Sequence, residues 1–283
     1  MARLDWTRAS SPWKDEQVLA EGTYDGKVAI VTGGGSGMGR AMACEFGRLG
    51  AAVVVAGRRP EPLEETVRLI EVEGGRASAQ PTDVRVPEQV DAMVAAAVER
   101  YGRVDVLVND AAGNFVVKAE ELSPNGWRAV TSIVLDGGWL CTSAAGRQMI
   151  AQGEGGAILS VIASYAWTGG PGTVHSAAAK AGLVAMTRTL AVEWAPHKIR
   201  VNTICPGPTA TEGAGAALWP TPEDETRVAS TVPLGRLASV EEIAWWTTAL
   251  CSRYAGYVTG ENFTIDGGHW LEKDGYMPAL QPR

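Results

Sequence analysis

The eight residues Thr32-Gly33-Gly34-Gly35-Ser36-Gly37-Met38-Gly39 constrain the fold more than any other stretch of this chain. An apolar run, Val28–Thr32, leads into them, and an amphipathic segment, Gly39–Arg48, leads out. A strand that turns this tightly into a helix leaves free backbone N–H groups and a partial positive charge at the helix start, which suits a pyrophosphate. The same alternation then repeats. Short runs rich in Val and Ile lie at Val28–Thr32, Ala52–Ala56, Ala77–Pro81, Val104–Asn109, Ala157–Ile162, Ile199–Ile204 and Phe263–Ile265. Helical segments fall at Gly39–Arg48, Pro62–Glu73, Pro87–Arg100, a long stretch after Pro124, Ser176–Trp194 and Val240–Ser252. Apolar strands without polar alternation are buried on both faces. The pattern therefore predicts a single α/β domain, a doubly wound parallel sheet of about seven strands with helices on both faces.

No Pro/Gly/Ser-rich linker or repeat divides the 283 residues. Residues 1–22 read as an N-terminal arm, residues 23–283 as the domain, and residues 207–231 as a substrate lid with a helical piece. A net charge of -7, with acids and bases mixed along the chain, offers no electrostatic footprint for nucleic acid. Cys44, Cys141, Cys205 and Cys251 are scattered, as are His175, His197 and His269, so no metal is expected and the thiols read as buried and free. The N-terminus lacks the apolar core of a signal peptide, and no run approaches the ~20 apolar residues of a spanning helix. The expectation is a cytoplasmic protein without membrane contact.

Within the turn, Gly33, Gly37 and Gly39 have G-x3-G-x-G spacing, and Gly35, Ser36 and Met38 complete the cradle. A P-loop would need Lys and then Ser or Thr after the last glycine, where Arg40-Ala41 stand. A nucleophile elbow around Ser36 would need glycine at Met38. A dinucleotide fits. About 20 residues beyond such a turn an NAD-binding unit offers an acid to the adenosine ribose, but here the second strand ends in Gly57-Arg58-Arg59. Two guanidiniums suit a 2′-phosphate, since each charge-assisted hydrogen bond contributes ~1.5–3 kcal/mol. NADPH/NADP is the expected cofactor, against the alternative of a solvated turn that happens to carry two Arg.

Taken together the motifs resemble the short-chain dehydrogenase/reductase family, a Rossmann-fold family, over roughly residues 24–270. Asp83-Val84 resembles its adenine-contacting pair, and Asn109-Asp110-Ala111-Ala112-Gly113 its N-N-A-G segment. Pro206-Gly207-Pro208-Thr209 resembles the nicotinamide-side turn, and Asp266-Gly267-Gly268 the C-terminal signature. The resemblance implies that Asp83, Val84, Asn109, Ala111, Gly113, Pro206, Gly207 and Thr209 meet the cofactor. It also implies a homotetramer built through long helices and the C-terminal segment.

The family's usual catalytic set is a Ser, a Tyr thirteen residues later in Y-x-x-x-K, and an Asn on the preceding long helix. Here only Lys180 matches: Ser176 stands in the Tyr slot, Ala163 in the Ser slot, and Asp136 near the place of the Asn. Ketone reduction creates an alkoxide that must be protonated on oxygen, which a phenol beside Lys⁺ can do and a Ser hydroxyl does poorly. Hydride addition to a C=C conjugated with a thioester instead creates a delocalised enolate, which mainly needs hydrogen-bond donors at its oxygen.

The 2,4-dienoyl-CoA reductases are a branch with such an altered set, and the resemblance to them is close. Ala111-Ala112-Gly113-Asn114-Phe115 matches their A-A-G-N-F. Tyr165, eleven residues before Ser176, matches the relocated Tyr of the mitochondrial type, and Ser176 with Lys180 its S-x-x-x-K. The tail from Tyr257 to Leu271 is more like the peroxisomal type. By this resemblance Tyr165 and Asn114 donate to the thioester oxygen, and Lys180 holds the nicotinamide ribose. Ser176 steers ribose or water, and Asp266 orients a protonating water. The substrate would be an acyl-CoA, with hydride going to C5 to leave a 3-enoyl-CoA.

Two other readings stay open: a carbonyl or alcohol oxidoreductase with Tyr165 as acid, and a silent dinucleotide-binding scaffold. Trp245-Trp246 and the other eight Trp, Trp167 and Trp270 among them, read as core or subunit contacts rather than an acyl-binding wall, and Arg236 as half of a surface ion pair rather than a ligand of a CoA phosphate.

Overall fold

The computed structural model describes residues 18–211 and 221–271, so most of the expected arm and the middle of the expected lid lie outside the described residues. Strand β1 (Val28–Thr32) is followed by α1 (Gly37–Arg48), β2 (Ala52–Gly57), α2 (Pro60–Val72), β3 (Arg76–Pro81), α3 (Pro87–Tyr101) and β4 (Val106–Asn109). Next come α4 (Pro124–Thr131), α5 (Gly137–Gln152), β5 (Gly156–Val161), a single turn α6 (Tyr165–Thr168), and α7 (Val174–Glu193). Strand β6 (Ile199–Pro206), α8 (Pro222–Ser230), α9 (Val240–Cys251) and β7 (Asn262–Ile265) complete the order. All seven expected strands form, in one parallel sheet ordered β3-β2-β1-β4-β5-β6-β7.

The chain winds outward in opposite directions from β1 and β4, so a crevice opens over the C-terminal ends of these neighbours. Thr32 pairs with Asn109 there, which brings the glycine turn and the Asn109–Gly113 loop side by side. Burial on both faces follows from the strand composition. Met42, Phe46 and Leu63 pack on one face, and Met93, Leu107 and Met149 on the other, each at most 1% exposed.

The helix expected after Pro124 is interrupted by a π-helical turn, Ser132–Asp136, between α4 and α5. Leu19 joins the core and the Tyr24 hydroxyl donates to the Thr248 carbonyl at 2.5 Å, so packing begins within the stretch read as an arm. Arg236 is a correction: it is buried, and its guanidinium grips both oxygens of Glu242 at 2.8 and 2.7 Å, at the capping box that starts α9. Trp246 is half exposed rather than core. Among the described residues no helix is long and apolar enough to cross a membrane, and no group of His, Cys, Asp or Glu is arranged to hold a metal ion.

Candidate active site

The glycine turn is held against the β4 loop by contacts that admit no side chain. A Cβ on Gly39 would stand 2.3 Å from the Gly33 carbonyl oxygen and 2.8 Å from an Asp110 carboxylate oxygen. Gly33 sits at φ +73°, the left-handed region that favours glycine, with the Ala111 nitrogen 3.0 Å from where its Cβ would be. Thr32 ties the two loops together: its hydroxyl accepts the N–H groups of Asp110 and Ala111, both at 3.1 Å. Ser36 caps α1 without a side-chain hydrogen bond, and in that first turn the Gly39 N–H donates to the Asp110 carboxylate instead.

Gly33, Gly35 and Ser36, then Arg58 and Arg59, then Asp83 and Val84, line one cleft with Ala111. Arg58 and Arg59 are exposed and have no hydrogen bond or ion pair among the described residues. Asp83 is gripped by Arg85, whose guanidinium holds its carboxyl down at about 2. Gly37 faces Thr211 across a second groove, and Gly113 lies near Ile133. Asn109 is turned inward: its amide donates to Thr142 at 2.9 Å and Ser160 at 3.2 Å, which pins β4 to α5 and β5. Gly207 is pressed on the Asp266 backbone, and the Thr209 hydroxyl donates back to the Gly207 carbonyl, so the Pro206–Thr209 turn is fixed over the end of β7.

Tyr165 and Ser176 meet. The phenol oxygen is 3.0 Å from Ser176 Oγ, with Ser176 itself 1% exposed. Burial raises the Tyr165 pKa above the usual phenol value, partly offset by the Ser176 hydrogen bond, so the group stays a protonated donor near neutrality. Lys180, one helical turn beyond Ser176, donates to the Val161 carbonyl at 2.5 Å. Burial pushes its pKa down to about 8, while Asp110 acts in the opposite sense. Asp110 is raised in turn to about 7 by desolvation, opposed by Lys180 and the Gly39 N–H.

Asn114 is exposed, and its Oδ1 accepts the Phe115 N–H at 3.0 Å. That fixes the amide so that its NH₂ is the free, outward end. Both Asp266 carboxylate oxygens accept backbone N–H groups, from Gly268 at 2.9 Å and Trp270 at 2.8 Å, so it caps the turn after β7. Asp136 is exposed, whereas Val134, two residues earlier, is 2% exposed, packs with Ile162, Ala179 and Leu183, and lines one small cavity with Lys180. Sequence patterning passed over Thr32, Val134 and His175. Asp110 carried a visible signal, an acid in place of the second Asn of N-N-A-G.

The family model described as enoyl-(acyl carrier protein) reductase matches residues 33–269. A Bacillus subtilis protein named a probable 2,4-dienoyl-CoA reductase producing the (2E)-enoyl-CoA is 48% identical, over 87% of this chain and 97% of its own length. The chain belongs to the short-chain dehydrogenase/reductase family. The peroxisomal 2,4-dienoyl-CoA reductase of Pongo abelii, named as producing the (3E)-enoyl-CoA, is 40% identical over 87% of this chain and 84% of its own. Among solved structures, a short-chain dehydrogenase from Bacillus anthracis superposes with a TM-score of 0.81 at 45% identity, covering 88% of this chain and 99% of that one. A structure from Beutenbergia cavernae that holds NADP at low occupancy superposes at 0.83 and 34% identity, covering 89% and 100%. This short-chain dehydrogenase/reductase is thus an oxidoreductase of a family that uses NAD(P).

Proposed function

We propose that this protein is an NADPH-dependent reductase of a conjugated C=C bond in an acyl-CoA thioester, of the 2,4-dienoyl-CoA reductase type. The observation that carries the proposal is the Tyr165–Ser176 contact: a phenol from α6 reaches the slot where the family normally keeps its Tyr on α7. The closed glycine cradle and the two unengaged guanidiniums fit the diphosphate and 2′-phosphate of NADP. The cofactor, when bound, supplies the hydride.

The chain's own residues handle the charge that follows. Addition at C5 moves the conjugated electrons onto the thioester oxygen as a dienolate. The Tyr165 hydroxyl and the Asn114 amide donate to that oxygen, and Lys180 holds the nicotinamide ribose and adds positive charge. Ser176 keeps the phenol in place. A solvent proton relayed through a bound water is delivered to C2, so that hydride and proton together leave a 3-enoyl-CoA and the neutral thioester is restored. Asp266, each of whose carboxylate oxygens holds one backbone N–H of its turn, keeps lone pairs with which it would orient that water. The name of the Bacillus subtilis relative favours a second outcome, protonation at C4 to give the 2-enoyl product.

The test follows NADPH consumption with 2,4-dienoyl-CoA and with a panel of ketones, and identifies the product's double bond. Turnover of the dienoyl thioester alone supports the proposal. Turnover of ketones alone points to a carbonyl reductase with Tyr165 as acid, and cofactor binding without turnover to a scaffold. A tetramer in the cytoplasm goes with the proposal. The exposed Trp139 on α5 and Val192 on α7 supply apolar surface for the helix faces, and light scattering reads the mass.

A further inference from the structure

Trp167 and Trp270 meet edge to face, with ring centroids 5.8 Å apart and planes at 87°. The first lies on α6, two residues after Tyr165, and the second in the turn after β7. Strands β5 and β7 have β6 between them, a separation of ~10 Å, so the pair bridges the gap over the end of β6 where Cys205 and Pro206 emerge. Both carboxylate oxygens of Asp266 hold the turn that presents Trp270. This is a built contact, yet each ring keeps more than a third of its surface exposed, 39% for Trp167 and 37% for Trp270. Large aromatics left open in this way, on a firmly anchored frame, offer apolar surface to a ligand.

The apolar surface has a second part. Phe115 and Val116 are also exposed, and Val117 N–H donates to the Gly172 carbonyl at 3.0 Å, so the loop that carries Asn114 is fixed to the turn between α6 and α7. Apart from the two indole N–H groups these four side chains carry no polar atom, so they offer an aliphatic chain leaving the reacting carbons mainly apolar surface.

We propose that Trp167 and Trp270 form the wall that receives the acyl chain and sets its preferred length, with Asp266 as the positioning residue that holds Trp270 in place. The proposal rests on the acyl-CoA reading above. Each methylene moved from water onto such a wall strengthens binding by up to ~4-fold, so the wall favours longer chains through KM.

The experiment compares 2,4-hexadienoyl-CoA and 2,4-decadienoyl-CoA with wild type, Trp167→Ala, Trp270→Ala and Trp270→Phe. For the alanine variants, kcat/KM for the ten-carbon substrate is expected to fall by ~10-fold or more, through KM, and for the six-carbon substrate by less than ~3-fold. Trp270→Phe keeps the apolar bulk and the chain preference, which separates loss of the wall from loss of the fold. Equal losses on both substrates, or none, overturn the wall and leave the reductase reading intact.

If the wild type turns over neither substrate, the reductase reading fails and binding decides the wall. The edge-to-face indoles should give an exciton couplet in circular dichroism that Trp270→Phe removes. Its change on adding decanoyl-CoA, but not free CoA, supports an acyl wall. The same change with free CoA, a change with protein concentration, or no change at all overturns it.

Discussion

The Tyr165 hydroxyl and Ser176 Oγ lie 3.0 Å apart although they arrive from separate elements, a one-turn helix and the buried start of α7. Ser176 is held from behind, its own N–H donating to His175 Nδ1 at 2.8 Å, and the His175 ring packs edge-on against Phe115. A phenol placed in this way is a hydrogen-bond donor with little freedom to reorient, as charge stabilisation requires. Tyr165→Phe is therefore expected to lower kcat with a dienoyl-CoA by ~10²–10³ with little change in NADPH affinity. Ser176→Ala, which removes only the support, should cost less. Single-turnover kinetics check both, and a near-normal rate for Tyr165→Phe rejects the donor role.

On the proposed reading the cofactor preference would turn on Arg58 and Arg59, exposed just beyond the end of β2. Replacing Arg58 by Asp removes a charge-assisted hydrogen bond and adds repulsion, so the KM for NADPH should rise by ~10–100-fold while that for NADH changes little. Steady-state kinetics with both cofactors measure it. An unchanged ratio means that the 2′-phosphate sits elsewhere.

The strands could be read because continuous Val/Ile runs have one stable destination, the middle of a covered parallel sheet. Arg58, Tyr165, Ser176 and Lys180 could be singled out as candidates because each sits at a fixed offset from a motif. Asp136 left its meaning open in the sequence for a physical reason. It ends a π-helical turn, Ser132–Asp136, and a count of positions cannot register such a turn. The turn-capping part of Asp266 was not legible, because its two bonds go to backbone N–H groups, which leave no trace in side-chain spacing. The Trp167–Trp270 contact joins residues more than a hundred positions apart, and only the sheet order brings them together.

Gly39 gives a prediction independent of the reaction. The Cβ of alanine there would meet the Gly33 carbonyl at 2.3 Å, and this obstacle is backbone rather than a flexible side chain. Gly39→Ala should force the turn and the β4 loop apart, with a stability cost of ~1–3 kcal/mol, a lower melting temperature and loss of NADPH binding. Calorimetry with and without NADPH reads both effects. A folded variant that binds NADPH normally would show that the cradle is looser than these contacts imply.

The final prediction concerns Asp110, the acid standing where the family motif has its second Asn. Its pKa is raised to about 7 by burial, so between about pH 4 and 7 the folded chain holds a proton that the unfolded chain has lost. Its contribution to stability therefore falls as pH rises through that window. Asp110→Asn should flatten this part of the stability profile, seen as a smaller drop in melting temperature from acid to neutral pH. Lys180 behaves in the opposite way. Its pKa is lowered to about 8, so above that value the unfolded chain binds more protons and stability from this group rises with pH up to the ordinary lysine range. Activity that needs charged Lys180 must fall over the same range. Because Asp110 favours the charged lysine, Asp110→Asn should move the alkaline limb of kcat/KM to lower pH, whereas Lys180→Met should abolish the limb along with most activity. An alkaline limb that stays in place in Asp110→Asn would mean that the two groups do not share a field in solution, and that another residue sets the limb.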